Sequence, residues 1–325
     1  MINYPIKFHP ILKEKIWGGD KLKSLLNKKS DATSLGESWE ISGVEDNISI
    51  VSNGVYINQS LIDLIKNYKG SFLGQKIYDK FGERFPLLIK FIDAKDDLSV
   101  QLHPNDELAK ERHNSFGKSE MWHIVQADKN SKLIVGFNTV VDKRIYSEAI
   151  EKGDIVSLLN FVKVDKRDSF FINSGTVHAI GAGILLAEIQ QTSDITYRVF
   201  DWKRKGFNGK ERELHTGLAY KAINYNSKDH QKLSYDNLNT PSNIITNKFF
   251  TTNYISIKTN LTRVINQDSF KIYMCVQGSG VVIIDDFIAS ISCGETVLIP
   301  AKCKELMLKG EEFELLEIYL DCSKL

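Results

Sequence analysis

The chain has 325 residues and 42% of them are hydrophobic, which is enough to build a substantial core in two domains or in one large β architecture. Its 42 basic and 41 acidic side chains leave a formal net charge of +1, so no overall field recruits nucleic acid or a membrane. There is no secretory signal pattern and no uninterrupted apolar run of about eighteen residues, so we expect a cytoplasmic protein.

The N-terminal part combines a strand-like run with an amphipathic helix. In GESWEIS, polar and apolar residues alternate, which predicts a strand with Trp39 and Ile41 on one face and Glu40 on the other. Ser60 then precedes apolar residues spaced three and four apart. This spacing predicts a helix capped by Ser60.

An apolar run, FPLLIKFIDA, leads into the first candidate site segment and predicts a buried strand. Lys90 interrupts it, and its side chain either faces an interior polar site or extends to the surface. In the following SVQLH, alternation gives Ser99, Gln101 and His103 a shared polar face. Because Pro104 cannot donate to a sheet, we expect the strand to stop with His103 at its edge, where a side chain can reach a ligand.

Two further segments carry candidate ligands. In EMWHIVQA, Glu120 and Trp122 point one way and His123 the other, so only one of Glu120 and His123 faces the site. The run SFFI enters a glycine turn that is followed by His178. Two imidazoles with Gln or Glu oxygens form a set that zinc accepts, with one position open for water or substrate. A lone histidine is an ordinary packing residue, but the three motifs together favour a metal site.

β patterns dominate most of the remaining chain. Residues 142–162 follow a helical pattern, and we predict a small helical insertion near residues 105–165. From there, short strands separated by glycine turns favour a sandwich or jelly roll over a parallel sheet. The polar stretch 226–248 indicates a domain boundary. After His230 no histidine occurs, so the C-terminal part lacks imidazole ligands.

Several longer motifs occur in a fixed order: FHPILKEKIWGG, LGESWEIS, QLHP, KSEMW, GTVHA and QQTSDITYRVFDW. They resemble the type I mannose-6-phosphate isomerases, a family of zinc-dependent cupins, in its short bacterial form, over most of residues 5–220. The resemblance implies a mainly β fold of two cupin-type jelly-roll barrels, a bicupin, with a small helical insertion. We expect a catalytic cupin domain at 1–235 and a metal-free cupin-like domain at 236–325.

The resemblance also implies roles for individual residues. The implied Zn²⁺ ligands are His103, Glu120 and His178, with Gln101 as a fourth in some members. The implied catalytic residue is Arg198, and the implied substrate-phosphate contacts are Ser99, Lys118, Lys203 and Arg204. The expected substrate is a sugar phosphate, with mannose 6-phosphate and fructose 6-phosphate interconverted by proton transfer through an enediol. We expect a monomer or a weak dimer.

The sequence leaves the proton-transferring base open. The candidates are Glu188, Asp194, Lys118 and zinc-bound water. Five other histidines have the wrong strand parity or lack a partner motif and are expected to be structural or surface residues: His9, His113, His123, His215 and His230. The four cysteines form no CxxC pair, and we expect reduced thiols.

Two other functions fit part of the pattern. A non-catalytic sugar-phosphate-binding cupin could keep the fold and the metal without turnover. An iron cupin such as a dioxygenase would be expected to have a histidine-rich cluster, in which a glutamine ligand is unusual. Arg198 and Lys118, together with the full ligand set, favour catalysis.

Overall fold

The computed structural model describes residues 2–226, 232–236, 241–265 and 268–325. Within these ranges the chain forms twenty β-strands and seven α-helices, so the predicted mainly β fold is confirmed. Every helix in the same ranges is too short or too polar to cross a bilayer. His230, predicted to be structural or at the surface, lies outside the described residues.

The strands of the first part of the chain are β1 (Ile11–Gly19), β2 (Leu35–Ile41), β3 (Gly43–Val44), β4 (Asn47–Ile48), β5 (Leu87–Ala94), β6 (Val100–Leu102), β7 (Glu120–Ala127), β8 (Lys132–Phe137), β9 (Leu159–Lys163), β10 (Ser169–Ile172), β11 (His178–Ile180), β12 (Ile184–Gln191) and β13 (Tyr197–Phe200). The later strands are β14 (Ser242–Thr246), β15 (Thr251–Ile257), β16 (Asn260–Val264), β17 (Lys271–Ile284), β18 (Phe287–Ser292), β19 (Thr296–Ile299) and β20 (Glu305–Tyr319).

The helices are short and lie on the outside of the sheets. They are α1 (Lys21–Ser24), α2 (Leu61–Tyr68), α3 (Gly70–Leu73), α4 (Gln75–Phe81), α5 (Asp106–His113), α6 (Lys143–Lys152) and α7 (Thr216–Ala222). Two 3₁₀ turns add Gly54–Tyr56 and Ile155–Leu158.

Two antiparallel sheets of the first part face each other. One has six strands in the order β1-β2-β5-β12-β7-β10, and the other has five in the order β13-β6-β11-β8-β9. Buried side chains from both sheets fill the space between them, among them Trp122, Leu133 and Ile180. Alternation along β7 sends Trp122 into this sandwich and Met121 to the opposite face.

A third, seven-stranded sheet packs on the outer face of the six-stranded one. Its order is β14-β15-β20-β17-β18, with β16 beside β20 and β19 beside β17. One buried cluster joins the two sheets, with Met121 on one side and Tyr254 and Met274 on the other. A separate buried cluster is formed entirely by side chains from the part of the chain that contains the third sheet. Two expectations stay predictions: the division into domains at 1–235 and 236–325, and a second jelly-roll barrel.

Two helix predictions can be compared directly with the structure. Helix α2 forms where the sequence predicts it, because the Ser60 hydroxyl accepts from the Asp63 amide at 3.0 Å and the Asp63 carboxylate accepts from the Ser60 amide at 3.3 Å. Helices α5 and α6 both fall in the range of the predicted insertion. Strands β7 and β8 separate them, and these two strands belong to different sheets.

The prediction that Trp39 and Ile41 share one face is wrong. The register between β2 and β5 shifts between these residues, so Trp39 lies opposite Lys90 and Ile41 lies opposite Ile89. A bulge of this kind reverses the alternation locally. As a result Trp39 faces the interior of the sandwich, while Ile41 joins the core shared with the third sheet.

Candidate active site

Three buried side chains converge at the ends of β6, β7 and β11. His103 follows β6 directly, Glu120 is the first residue of β7, and His178 is the first of β11. Their ligand atoms all lie within 4.8 Å of one another. The Nε2 atoms of His103 and His178 lie 3.4 Å and 3.5 Å from the two carboxylate oxygens of Glu120.

The backbone joins the two histidine-bearing segments. The Gly175 amide donates to the carbonyl oxygen of His103 at 2.8 Å. Gly175 has a φ of +83°, and a Cβ there would lie 2.8 Å from the carbonyl oxygen of Ala222. Only glycine fits this turn without strain, and the turn brings His178 back towards His103.

Hydrogen bonds orient both imidazoles as ligands. Nδ1 of His103 lies 2.8 Å from the carbonyl oxygen of Ile195, and Nδ1 of His178 lies 2.9 Å from that of Thr176. A carbonyl only accepts, so each Nδ1 carries the proton and each Nε2 presents a lone pair to Glu120. The buried Nε2 of His178 has no hydrogen-bond partner among the described residues. Such an orphaned lone pair fits a metal ligand.

The protonation states also suit a cation. Burial and the charge of Lys118 lower the pKa of His103 to about 4, although Glu120 opposes the shift. Burial also lowers the pKa of His178. For Glu120, burial alone would raise the pKa, but Lys118 and the two histidines hold it well below its usual value. Near neutral pH the cluster therefore offers two neutral imidazoles and one carboxylate.

Lys118 supplies the positive charge nearest this cluster. Its Nζ contacts Oε2 of Glu120 and lies 3.0 Å from Nε2 of His103. It also lies 3.9 Å from Oε1 of Glu188. The residue predicted to contact a substrate phosphate therefore lies beside the predicted metal ligands.

A cavity of about 470 Å³ opens beside the cluster. Of the residues predicted from the sequence, it is lined by Ser99, Gln101, Lys118, His178 and Arg198. The candidate bases Glu188 and Asp194 also line it. The structure thus brings most of the predicted site residues together around one space.

Gln101 lies in the middle of this arrangement. In the five-stranded sheet it is directly opposite His178 on one side and Arg198 on the other. Directly paired residues of adjacent strands project from the same face, so the three side chains are neighbours. The side-chain Oε1 of Gln101 accepts from the Ser99 hydroxyl at 3.1 Å.

Arg198 is half-buried and partly free of partners. Its Nη1 donates to the carbonyl oxygen of Glu213 at 2.8 Å, and its buried Nε has no hydrogen-bond partner among the described residues. Burial and the nearby charge of Arg212 lower the pKa of Arg198. Because the ordinary pKa of an arginine is far above neutral, the guanidinium still stays charged near neutral pH. The backbone amide of Arg198 donates to Nδ1 of His215 at 3.1 Å, so His215 is structural.

Two family models match the chain. The model for the catalytic domain of phosphomannose isomerase type I matches residues 6–161, and the model for the cupin domain of mannose-6-phosphate isomerase matches residues 241–320. The chain is 35% identical over 316 residues to the mannose-6-phosphate isomerase ManA of Bacillus subtilis strain 168, covering 95% of this chain and 97% of that protein. The chain belongs to the type I phosphomannose isomerases. The predicted family, enzyme class and cupin fold are confirmed.

Other relatives agree with this assignment. A mannose-6-phosphate isomerase of Streptococcus mutans is 38% identical over 211 residues, which cover 65% of each chain. The crystal structure of the Bacillus subtilis mannose 6-phosphate isomerase matches this isomerase with a TM-score of 0.88 at 31% identity, covering 97% and 99% of the two chains. A putative mannosephosphate isomerase from Archaeoglobus fulgidus shares the fold, with a TM-score of 0.78 at 22% identity and 98% coverage of both chains.

Two predicted substrate contacts of this isomerase lie apart from the main cavity. Lys203 and Arg204 line a smaller cavity of about 240 Å³. Arg204 donates to Oδ1 of Asp201 from Nε at 3.0 Å and from Nη2 at 2.8 Å. Their role in phosphate binding stays a prediction.

The structure adds cavity residues that sequence reasoning did not single out. Arg212 lines the main cavity and donates to both Asp201 oxygens, at 2.6 Å and 2.7 Å. Glu37 accepts from the indole of Trp39 at 2.6 Å and lies 3.1 Å from Lys15. Burial alone would raise the pKa of Glu37, but the charges of Lys90 and Lys15 lower it to about 2. Alternation in β2 would have identified Glu37, because it shares a face with Trp39.

Lys90 faces the interior and not the solvent. Its Nζ lies 3.1 Å from Oε1 of Glu188 and 4.9 Å from the Trp39 ring centroid. Burial alone would lower its pKa, but Glu188 and Glu37 raise it. Lys90 therefore stays charged and stabilises the Glu37 carboxylate as an anion.

The other described histidines lie outside the cluster of His103, Glu120 and His178. His123 is buried on the other face of β7, with Nδ1 2.9 Å from the Ser169 hydroxyl. His113 is exposed, and its Nε2 lies 2.8 Å from the Tyr197 hydroxyl. His9 is exposed.

Proposed function

We propose that this chain interconverts mannose 6-phosphate and fructose 6-phosphate by proton transfer through an enediol, with a bound Zn²⁺. The observation that carries the proposal is the cluster of His103, Glu120 and His178, of which His178 lines a cavity that is rich in cationic side chains. The mannose-6-phosphate isomerase of Bacillus subtilis, with 35% identity over 95% of this chain, supports the same substrate pair.

The donor set supports zinc. Two imidazoles and a carboxylate are ligands that zinc accepts in catalytic sites, and the amide oxygen of Gln101 offers a fourth. The orphaned Nε2 of His178 is consistent with a ligand position. When bound, zinc would act as a Lewis acid that stabilises negative charge on the substrate oxygens.

Glu188 is our proposed proton-transferring base. Its Oε2 accepts from the indole of Trp122 at 3.0 Å and its Oε1 lies 3.1 Å from the Nζ of Lys90, so both contacts orient the carboxylate. An oriented carboxylate lining the cavity can remove a proton from one carbon and return it to the adjacent carbon. Asp194 also lines the cavity but is exposed to solvent.

The charges around the cavity suit an anionic substrate. We infer that Arg198 stabilises the oxygens that become negative in the enediolate, because its guanidinium stays charged and its Nε is unpaired. Ser99 and Lys118 are proposed substrate contacts that line the same cavity. Lys203 and Arg204 remain proposed phosphate contacts. A cytoplasmic location and a monomeric or weakly dimeric state remain predictions.

The test is a coupled assay in both directions with metal analysis. The purified chain should form fructose 6-phosphate from mannose 6-phosphate, lose turnover when a chelator removes the metal, and recover it when zinc is added. One zinc per chain is expected. A zinc-loaded, folded chain that binds the sugar phosphate without converting it would contradict the proposal.

A further inference from the structure

A second cavity, of about 370 Å³, lies apart from the candidate active site. It is formed by the end of α4, by α5 and the loop after it, by the end of β12, and by the turn between β14 and β15. Among the described residues, the two cavities share no lining residue. The second cavity is therefore a separate space. Its walls come from segments in and beside the first two sheets and from a turn of the third sheet.

Among the described residues, four cations and a single carboxylate line this cavity. The cations are Lys80, Arg84, Lys110 and Lys248, and the carboxylate is Asp106. Among the described residues, no ion pair involves Arg84, Lys110 or Lys248, whereas the Nζ of Lys80 donates to an oxygen of Leu325 at 3.3 Å. Clustered charge of one sign in a concave site raises the local concentration of counter-ions. The cavity therefore favours an anion.

The aromatic lining narrows the class of anion. Phe81, Phe116 and Phe249 contribute rings to the wall, and the Phe81 and Phe116 centroids lie 6.0 Å apart. The guanidinium carbon of Arg84 lies 4.6 Å from the Phe116 centroid. Phenyl rings and a guanidinium plane both stack on flat heteroaromatic rings, whereas a simple inorganic anion would gain nothing from the phenyl surface. We propose that this cavity binds a nucleoside phosphate.

A bound nucleoside phosphate would contact residues that hydrogen-bond to the backbone on either side of Lys118. Gln191 lines the cavity. Its side-chain Oε1 accepts from the Ser119 backbone amide at 2.9 Å, and its backbone amide donates to the Ser119 carbonyl oxygen at 3.2 Å. Asp106 also lines the cavity and accepts from the Gly117 amide at 2.9 Å. Binding therefore tightens the backbone on either side of Lys118, and the coupling runs in both directions.

Calorimetry with the full chain tests the site directly. Adenosine diphosphate and guanosine diphosphate are titrated beside adenosine, guanosine and inorganic pyrophosphate. At least one nucleotide should bind about 10-fold or more tightly than its own nucleoside and than pyrophosphate, because the site uses both charge and stacking. If neither nucleotide binds, or if pyrophosphate binds as tightly as both, the assignment is overturned.

Matched variants locate the binding. Arg84→Gln and Lys248→Gln should each weaken nucleotide binding by about 10-fold, the effect of one lost charge-assisted hydrogen bond. Lys76→Gln, on the same helix as Lys80 but outside the cavity, should leave binding unchanged. Equal affinities in Lys248→Gln and the parent would place any nucleotide elsewhere and overturn the proposal.

Hydrogen exchange tests the link to the active site without relying on turnover. The nucleotide should slow amide exchange at Gly117 and Ser119 in the parent chain but not in Lys248→Gln. If exchange at both amides is unchanged at saturating nucleotide, the coupling is refuted.

Discussion

The Nζ of Lys118 lies 3.0 Å from Nε2 of His103, the same nitrogen that we propose as a metal ligand. Lys118 also contacts Glu120, the proposed carboxylate ligand. An ammonium in this position repels a divalent cation and competes with it for the same lone pairs. We therefore expect Lys118 to weaken metal binding while it serves as the proposed substrate contact.

Lys118→Met is expected to bind zinc at least as tightly as the parent while turning over about 10²–10³-fold more slowly, because a preorganised charge is lost. Zinc affinity would be measured by competition with a chromophoric chelator, and turnover by the coupled assay. Lys129→Met, which changes an exposed lysine, is the control. Weaker zinc binding in Lys118→Met would show that Lys118 supports the metal site.

Removing a proposed ligand should have the opposite effect. His178→Ala should lower zinc affinity by roughly 10-fold or more, at least as much as losing an outer-shell partner. The exposed His113→Ala is the matched control and should keep full zinc content. A His178→Ala chain with full zinc occupancy and parental activity would exclude His178 as a ligand.

Arg198→Ala is expected to keep its zinc and to lose turnover. In the proposed role its charge serves the reacting oxygens and not the metal, and removing one such donor costs on the order of 10²–10³ in kcat. Arg144→Ala, an exposed arginine on α6, controls for the loss of charge. Near-parental kcat in Arg198→Ala would refute its catalytic role.

The buried His123 should make stability depend on pH. Burial and the charges of Arg167 and Lys166 lower its pKa to about 3, against an ordinary value of 6.5. Between these two values the unfolded chain binds a proton that the folded chain does not, so stability falls as pH falls from 6.5 towards 3.

This contribution is about 1.4 kcal/mol per pH unit in that window and vanishes above it. Urea unfolding of the parent and of His123→Asn at pH 7, 6, 5 and 4 would measure it. The stability of the parent relative to His123→Asn should decline over the acidic steps. A constant difference from pH 7 to pH 4 would show that His123 does not titrate on unfolding.

The third sheet should need no metal. The four cysteines, which lie in or between its strands or just after the last one, are free thiols, and burial raises the pKa of Cys275 and Cys303, with Cys303 at about 11. These thiols are weak metal ligands near neutral pH. A chain with all four cysteines changed to Ser or Ala should carry as much zinc as the parent. Loss of one zinc ion per chain in that variant would indicate a second site.

Local patterns in the sequence predicted the faces of the strands that carry the candidate site residues. Alternation identified the shared face of Ser99, Gln101 and His103 and separated Glu120 from His123, since successive side chains of a strand point to opposite faces. The capping pattern at Ser60 likewise predicted α2, because a capping box needs only residues close in sequence. The order of the motifs was sufficient to identify the family.

The tertiary structure decided what depends on pairing between distant strands. The bulge in β2 separates Trp39 from Ile41 and is defined only by the register with β5. The buried position of Lys90 depends on its neighbour Glu188 in β12, because a buried ammonium needs a paired anion that no local pattern reveals. Arg212 reaches the cavity from a loop. The sequence alone predicted the candidate ligands and the faces of their strands, and long-range pairing decided which charges surround them.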